Sequence, residues 1–467
     1  MTEETVRNDT GVRPRFLSGL TLKVLIIGLA IRFVLMPLLT YPFDVEHWAI
    51  IIQNIESGNG LFGLTGYFYT PVWGYILGFI TVCLNGLTSL DLFGLRFTDL
   101  LGIETLHDTF FTATTTTPLF NVAMKIPLVI CDVLVGYLVY RMVLNRTGDA
   151  QKAGIGFGLW FLCPLVIYMS AVQVQFDCLS ALFALLSILL LKHDRCFLAG
   201  TIFVLGSLIK MFPAFLVLLF VAYLLRTHRD DGQALKKLLL AVAGALLMLV
   251  LIFLPQLLDG TFMNNFSFIT DRASSTATTT SHILTYGGAA IAFVVMIFLA
   301  VRLYRLTAEE AQRQFYKYAL FTLAAAVLIA IGPQYCIVFL PLLAYYIAAE
   351  DPGYRRCLLF IGVFGLAVAW VNNSFSLLTS AGEFWGWWDA DWIVGLMQAF
   401  ETRLAGITLA SWMIAIFTVL EYLGIIMALA FAWTDAARRP CFNPLKQFIL
   451  GVKNYHVHRH TEEKSDE

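Results

Sequence analysis

Two carboxylates lie one residue apart at the point where the chain leaves its first strongly apolar stretch. The segment "YPFDVEHWAIIIQNI" holds Asp44 and Glu46 but no Lys or Arg. Such a pair can accept a proton as a general base, or provide oxygen ligands for Mg²⁺ or Mn²⁺. A helix that begins after Pro42 offers Asp44 a simpler use, because an N-cap aspartate stabilises a helix by about 1 kcal/mol. The local pattern leaves these alternatives open.

Three further positions combine polar side chains with the end or the interruption of an apolar stretch. Asp177 in "QVQFDCLS" can face a site, or it can cap the helix that follows. Lys210 lies in "KMFP", and a lysine inside a membrane suggests a cavity or an anion unless it snorkels to the surface. Gln334 and Tyr335 in "GPQY" offer an amide and a hydroxyl to a sugar or phosphate, or form a plain turn.

The composition places these residues in an integral membrane protein. Hydrophobic residues make up 59% of the 467 residues and charged residues only 13%, and the mean hydropathy is +0.76. Soluble domains carry about 25% charged residues. The apolar runs are long and continuous, as in spanning helices, and lack the alternation of a membrane β-barrel. We therefore predict an all-α polytopic membrane protein without a soluble domain.

Apolar runs of about 20 residues predict the spanning helices. Clear spans lie near 20–39, 120–142, 153–172, 177–191, 238–257, 283–301, 357–378 and 407–432. Two regions are too long for one span, and each is interrupted, at "KMFP" and at "GPQY"; they are 197–225 and 319–349. Each is predicted to form two helices that turn at the interruption. The total is roughly twelve spans.

The distribution of basic residues predicts the orientation. If residues 68–87 lie along the outer interface, 25 of the 31 Lys and Arg residues fall in tails and loops of one face, as cytoplasmic segments require. Both termini are then cytoplasmic, and the first outer loop (40–119) carries interfacial helices. A crossing by residues 68–87 would place the basic loop 141–152 outside. The outer face is therefore acidic and aromatic, and any chemistry takes place there.

Charges inside the spans and a Trp-rich outer loop complete the set of unusual features. Arg32 in the first span and Asp132 in the second are charges whose burial in lipid costs free energy, and we predict that they form a structural pair. Lys125 is a third such charge. The loop "EFWGWWDADW" (383–392) holds four Trp and three carboxylates. Interface anchoring explains much of its Trp content. Stacking against a sugar ring or clamping a lipid is the alternative.

The order of these motifs resembles that of the GT-C membrane glycosyltransferases, which use a polyprenyl-phosphate sugar. It resembles in particular the branch with the first mannosyltransferase of glycosylphosphatidylinositol assembly and related prokaryotic proteins. The likeness spans most of residues 20–350, and its motifs are "DVE" (44–46), "YFYTP" (67–71), "CDVLVGYLVYRM" (131–142), "LWFLCPLVIYMSAVQVQFD" (159–177), Lys210–Pro213 and Gln334–Tyr335. Three details depart from the family pattern. Glu46 replaces a second aspartate, "CP" replaces "NP", and no arginine separates the two tyrosines of "YFYTP".

The resemblance implies a GT-C-like domain over residues 20–432, between cytoplasmic tails 1–19 and 433–467. It implies inverting transfer of a hexose, with mannose favoured, to a lipid-linked glycan or another acceptor. We expect Asp44 to be the base, and Glu46 to orient the acceptor or help to hold a divalent metal. The remaining expected site residues bind the donor phosphate or line the cavity, and they are Lys210, Arg272, Asp177, Gln334, Tyr335 and Tyr69.

The expected partners are a polyprenyl- or dolichyl-phosphate sugar, a glycolipid or glycan acceptor and membrane lipids, and an accessory membrane subunit is compatible with the chain. No Walker A or dinucleotide-binding pattern is present, and no nucleic acid is expected. The membrane would be the plasma membrane of a prokaryote or the ER membrane of a eukaryote. The main alternative function is a lipid-linked sugar flippase or transporter, and a receptor without catalysis is the third.

Overall fold

The computed structural model describes residues 16–17, 19–61, 69–89, 104–107, 112–264, 279–328, 332–373 and 376–434. Within these ranges α-helices predominate, and two short antiparallel hairpins are the β-structure. The helices are α1 (Gly19–Leu38), α2 (Pro42–Glu56), α3 (Pro71–Ser89), α4 (Pro118–Thr147), α5 (Ala150–Phe161), α6 (Pro164–Ala171), α7 (Asp177–Lys192), α8 (Cys196–Ile209), α9 (Val217–Thr227), α10 (Ala234–Asp259), α11 (Thr279–Arg305), α12 (Ala308–Val327), α13 (Leu340–Ala349), α14 (Arg355–Asn372), α15 (Thr379–Trp385), α16 (Ala390–Phe400) and α17 (Leu409–Thr434).

The strands and 3₁₀ turns lie between these helices. The strands are β1 (Glu104–His107), β2 (Thr112–Thr115), β3 (Arg403–Leu404) and β4 (Ile407–Thr408), and the 3₁₀ turns are Phe212–Leu216, Pro333–Val338, Pro352–Tyr354 and Ser376–Leu378. In the first hairpin Glu104 pairs with Thr115, and in the second Arg403 pairs with Thr408. Both hairpins are too short to form a sheet core, so the helices determine the architecture.

Several helices are long and apolar enough to cross a membrane. In the described part of the chain five single helices meet this condition, and they are Gly19–Leu38, Pro118–Thr147, Ala234–Asp259, Pro352–Asn372 and Leu409–Ala430. The pair α5 and α6 is a sixth if it is counted as one broken span. These helices confirm the prediction of an all-α polytopic membrane protein. The total of roughly twelve spans stays a prediction.

The predicted continuous span 153–172 differs from the structure. Helix α5 ends at Phe161, and α6 begins at Pro164 with a bend of 53° between them. Proline has no backbone N–H and clashes with the preceding turn, so it starts a new helix more readily than it continues one. After the bend, α6 continues to Ala171, and a short loop then leads to α7.

The two interrupted regions form paired helices, as predicted. Helix α8 ends at Ile209, Lys210 is extended, and the 3₁₀ turn that begins at Phe212 leads into α9. A second 3₁₀ turn, over Pro333–Val338, separates α12 from α13. The Phe212 and Tyr335 ring centroids are 4.7 Å apart, so the two interruptions meet inside the bundle.

The predicted pair of charges within the spans is present. Arg32 donates to Asp132 Oδ2 from Nη2 at 2.8 Å and from Nε at 3.1 Å, and both side chains are fully buried. Ser170 Oγ donates to the same oxygen at 2.6 Å. The pair ties α1 to α4. Removing one partner of such a pair typically costs about 3–5 kcal/mol, because the other charge stays buried.

Lys125 fixes the point at which the chain leaves α1. Its ammonium group donates to the backbone oxygens of Met36 and Leu39 at 2.8 and 2.7 Å, and to Thr40 Oγ1 at 2.8 Å. These bonds use all three donors of the buried ammonium. Backbone oxygens at a helix C-terminus lack hydrogen-bond donors within the helix. Lys125 therefore donates hydrogen bonds to them, and its own buried ammonium group gains acceptors. The segment that leads into α2 is thereby held against α4.

Helix α2 lies against the bundle through one apolar stripe. Val45, Trp48, Ala49 and Ile52 are all buried, and the spacing of three and four residues places them on a single helix face. Full burial of a side chain such as Val or Ile contributes about 1.5–3 kcal/mol. This stripe fixes the rotation of α2 and therefore the direction of Asp44, which lies one helical turn before Trp48.

Candidate active site

The loop between α6 and α7 contains a strained residue between two glutamines. Val174 has φ of 62°, a left-handed conformation that is rare for a β-branched residue, and it is fully buried. The backbone N–H groups of Gln173 and Gln175 donate to the α6 oxygens of Tyr168 and Met169, both at 2.9 Å. Such strain costs about 1–3 kcal/mol and persists only where the surroundings impose it. The strained turn orients both glutamines.

Gln175 connects α2 to the first interruption. Its Nε2 donates to Asp44 Oδ2 at 2.5 Å, and its Oε1 accepts from Lys210 Nζ at 3.4 Å. One amide thus uses its donor side for a carboxylate and its acceptor side for a cation. Asp44 does not cap α2, because the N-cap residue is Tyr41, with no side-chain capping bond. The capping alternative for Asp44 is therefore wrong.

Lys210 and Asp177 form the second half of this network. Lys210 Nζ lies 3.3 Å from Asp177 Oδ2, and the two side chains are only 14% and 4% exposed. Helix α7 begins at Asp177 itself, and its N-cap Phe176 makes no side-chain cap, so the capping alternative for Asp177 is also wrong. Nor does Lys210 snorkel. Its ammonium lies 4.9 Å from the ring centroid of Phe176 and 5.6 Å from that of Tyr335.

The surroundings of Asp44 change its acidity. Burial raises the pKa of Asp44 to about 6, because the charged form loses water, although the Gln175 hydrogen bond and the charge of Lys210 lower it. The side chain of Gln173 also lowers this pKa, by less than Gln175 and Lys210 do. A carboxylate with a pKa near 6 is still ionised at pH 7 and is a stronger base than an ordinary aspartate. These properties are those of a general base.

Aromatic side chains form one wall beside this network. The Phe176 ring stacks on Trp73 at a centroid distance of 4.5 Å, and it contacts Trp48 and Tyr69 at 5.7 and 5.2 Å. The predicted site residue Tyr69 and the ammonium group of Lys210 therefore contact the same ring, that of Phe176. The indole N–H groups of Trp48 and Trp73 are buried without an acceptor among the described residues.

Of the other predicted site residues that the structure describes, only Tyr335 contacts the network. Tyr335 reaches it through Lys210, whereas the amide of Gln334 lies over Gly332, where an added Cβ would be 2.9 Å from it. Glu46 is half-buried and makes no hydrogen bond or ion pair with the described residues. It lies two positions from Asp44, and residues at that spacing do not share a helix face. Arg272 lies outside the described residues.

No metal centre is evident in the ranges that the structure describes, where no group of three or more His, Cys, Asp or Glu side chains could hold an ion. Asp44 and Glu46 alone do not make a chelating pair on a helix, because their side chains diverge. Within the described residues, the donor set thus does not fit a resident divalent metal. The described part of the site contains a carboxylate, a half-buried ammonium group and an amide that bridges them.

These features together suit transfer of a group from an anionic leaving group to a hydroxyl inside a membrane protein. The helical fold is that of a membrane protein, and the comparison with known families supplies the class of activity. The model of Glycosyltransferase family 87 matches residues 110–331, slightly less than half of the chain, and the match includes Asp177 and Lys210. This match indicates a membrane glycosyltransferase. No curated protein matches the chain.

Sequence reasoning missed part of the network. Gln173 and Gln175 belong to the motif "QVQFD", in which the sequence pattern alone singles out the aspartate. Two glutamines beside an acid at the end of an apolar run are the signal that could have identified them, since each amide offers both donors and an acceptor. The left-handed Val174 has no such signal, because valine is among the residues least suited to it.

Proposed function

We propose that the protein transfers a hexose, with mannose favoured, from a polyprenyl- or dolichyl-phosphate donor to a glycolipid or glycan acceptor at the outer or lumenal face. The observation that carries this proposal is the continuous chain of contacts Asp44–Gln175–Lys210–Asp177. It brings a half-buried carboxylate and a half-buried ammonium group to one place, between α2 and the interruption at Lys210. The family match supports the transferase class.

The proposed reaction inverts the configuration at C1 of the sugar. Asp44 takes the proton of the acceptor hydroxyl as that oxygen forms a bond to C1. The bond between C1 and the phosphate oxygen breaks, and the polyprenyl phosphate leaves with the electron pair. General-base assistance of this kind contributes about 10²–10⁴-fold. A phosphate is a good leaving group, so an acid that protonates it is not required.

Lys210 is proposed to stabilise the leaving phosphate. A fixed cation aimed at developing charge in a site that excludes water contributes strongly to the rate. Asp177 keeps this lysine charged in a buried position, and Gln175 holds it near the base. Tyr335, Gln334 and Tyr69 would line the sugar cavity, with Arg272 as a second phosphate ligand and Glu46 as an acceptor-orienting group.

The proposed setting follows from the same topology. Both termini would be cytoplasmic, in the plasma membrane of a prokaryote or the ER membrane of a eukaryote. The donor is then presented by its lipid at the face where Asp44 lies. The flippase alternative is less favoured, because the acids gather at one face and the family match is to transferases.

Purified protein in liposomes tests the reaction class. Polyprenyl-phosphate-linked radiolabelled mannose is supplied with membrane lipid extract as acceptor, and protein-free liposomes serve as the control. We expect label in a new lipid product only when protein is present. Movement of intact labelled donor across the bilayer without a new product would instead establish the flippase function.

A further inference from the structure

Helix α16 follows a Trp-rich segment and exposes one face that contains an acid, an indole and an amide. The exposed residues of this helix fall on one side, and they are Asp391, Trp392, Gly395, Gln398 and Ala399. The opposite side is apolar, with Ile393 buried at 3% exposure and the other described residues half-buried. The helix contacts α15 and α17. We call the exposed set the α16 face.

The α16 face is held in position by a defined cap. Asp389 Oδ1 accepts from the backbone N–H of Trp392 at 2.9 Å, which fixes the first turn of the helix. Trp392 itself is 49% exposed. An added Cβ at Gly395 would meet nothing within 4 Å, so the surface beside the indole is open. A flat ligand can approach the indole without a rearrangement of the helix.

Neighbouring indoles extend this surface. The Trp388 ring centroid lies 5.6 Å from that of Trp392 and 5.8 Å from that of Trp387, which is 55% exposed. Trp388 is anchored, since its Nε1 donates to Leu378 O at 3.0 Å. Three adjacent indoles, of which the central one is fixed, form a row rather than a set of independent surface residues.

The row is tied to the segment that carries the proposed base. Leu377 O, next to the anchor of Trp388, accepts from the backbone N–H of Thr40 at 3.3 Å. Thr40 is held by Lys125 and precedes Asp44 by only four residues. A molecule that contacts the α16 face is therefore on the same side of the protein as α2.

The chemistry of the α16 face fits a sugar better than a membrane. An interfacial membrane helix turns its apolar side to lipid and carries Lys or Arg on its polar side. Helix α16 has no Lys or Arg, and on its apolar side Ile393 is buried while the other described side chains are half-buried. The C–H groups of a pyranose carry partial positive charge and stack on the electron-rich face of an indole. A carboxylate and an amide beside it can bind the hydroxyls.

We propose that the α16 face binds a pyranose ring of the acceptor glycan, with Trp392 as the stacking residue and Asp391 and Gln398 as hydroxyl ligands. This inference rests on the proposed function, because it names part of the acceptor for the same site. The bound ring lies on the outer surface, and the hydroxyl that reacts extends from it toward Asp44. Acceptors with more than one sugar unit are then preferred over a single sugar.

Ligand-observed saturation-transfer NMR tests the proposal without turnover. The full chain in lipid nanodiscs is titrated with two soluble probes, α-mannotriose and maltotriose. We expect at least one probe to bind, and Trp392→Ala to weaken its binding about tenfold, the value for the loss of one aromatic contact. Trp412→Ala is the matched control, since Trp412 is 38% exposed in α17, outside the α16 face, and its loss should leave binding unchanged.

Quenching of fluorescence by brominated lipids separates the membrane alternative. The proposal is overturned if neither trisaccharide binds the wild-type chain, or if Trp392→Ala binds as well as wild type. Strong lipid quenching that disappears in Trp392→Ala would also overturn it, and would identify the face as a membrane contact. If transfer from the donor succeeds while these tests fail, only the α16 inference is lost. If trisaccharide binding succeeds without transfer, the proposed function is lost instead.

Discussion

Asp44 Oδ2 accepts a 2.5 Å hydrogen bond from Gln175 Nε2 across 131 residues of sequence. The bond joins a helix that follows the first span to the loop that follows the bent pair α5 and α6. Gln175 in turn accepts from Lys210, so the same amide holds the proposed base and the proposed phosphate ligand at a fixed separation. Positioning of this kind is a large part of what a transferase contributes to its reaction.

Gln175→Met should shift the pH dependence of transfer. The Gln175 hydrogen bond lowers the pKa of Asp44 from the value that burial alone would give, so its loss raises that pKa above about 6. A base must be unprotonated, and activity therefore falls as the pH decreases through its pKa. We expect the acid limb of kcat/KM to move to higher pH, as measured by transfer rates between pH 5 and 8.

Gln256→Met is the control. It removes a buried amide bonded to Tyr75 and should leave the acid limb in place. An unchanged limb in Gln175→Met would contradict the role of the Gln175 hydrogen bond.

Replacement of Val174 should reverse the usual order of alanine and glycine. At φ of 62° glycine is not strained, whereas alanine keeps a penalty of about 1–2 kcal/mol. Val174→Gly should therefore be more stable than Val174→Ala by about 1 kcal/mol, as compared by thermal unfolding in detergent.

The helical residue Val139 provides the control for Val174. It is fully buried in α4, and there the glycine variant should be the less stable by about 1 kcal/mol. The same order of stability at both positions would show that Val174 is not held in the left-handed conformation.

Lys210→Met should reduce turnover. Loss of one fixed donor to developing charge typically costs about 10²–10³-fold in kcat. Lys210→Arg keeps the charge and should retain part of the rate. Lys192→Met is a suitable control, because Lys192 is another half-buried lysine and lies 4.0 Å from the ring of Tyr316, at the opposite end of α7 from Asp177. Equal rates for Lys210→Met and Lys192→Met would exclude Lys210 from the site.

Asp132→Asn should destabilise the protein by about 3–5 kcal/mol, because it leaves Arg32 buried without a counter-charge. The double variant Arg32→Met with Asp132→Leu should recover part of that loss, since it removes both charges. Unfolding midpoints in a single detergent measure the difference. If the double variant is no more stable than Asp132→Asn, the uncompensated charge of Arg32 is not the cause of the lost stability.

The sequence was sufficient to predict features that depend on overall composition, on helix-breaking residues and on charged residues inside apolar segments. The helical membrane class, the two interrupted regions and the Arg32–Asp132 pair are confirmed, because long apolar runs, helix-breaking motifs and charges in lipid leave few alternatives. The sequence was not sufficient where tertiary contacts decide. The local pattern did not show that α2 begins directly after Tyr41, which excludes Asp44 as its cap, or that Gln175 approaches Asp44 from a distant loop.

Two further differences have local physical causes. Pro164 divides an apolar run that composition alone presents as continuous. The spacing of Asp44 and Glu46 suggests a pair, but one turn of helix contains 3.6 residues, so side chains two positions apart diverge. An uncharged glutamine such as Gln175 stands out less in a sequence than a second acid such as Glu46, although it is Gln175 that contacts Asp44.

The central claim is that Asp44 acts as the base, and a single-turnover comparison tests it most directly. Rates are measured with saturating polyprenyl-phosphate-linked mannose and lipid acceptor for wild type, Asp44→Asn and Glu46→Gln, which removes one carboxylate charge from the same helix. We predict a loss of about 10²–10⁴-fold in Asp44→Asn, with donor binding retained, and a smaller effect in Glu46→Gln. Transfer by Asp44→Asn at the wild-type rate would contradict the claim.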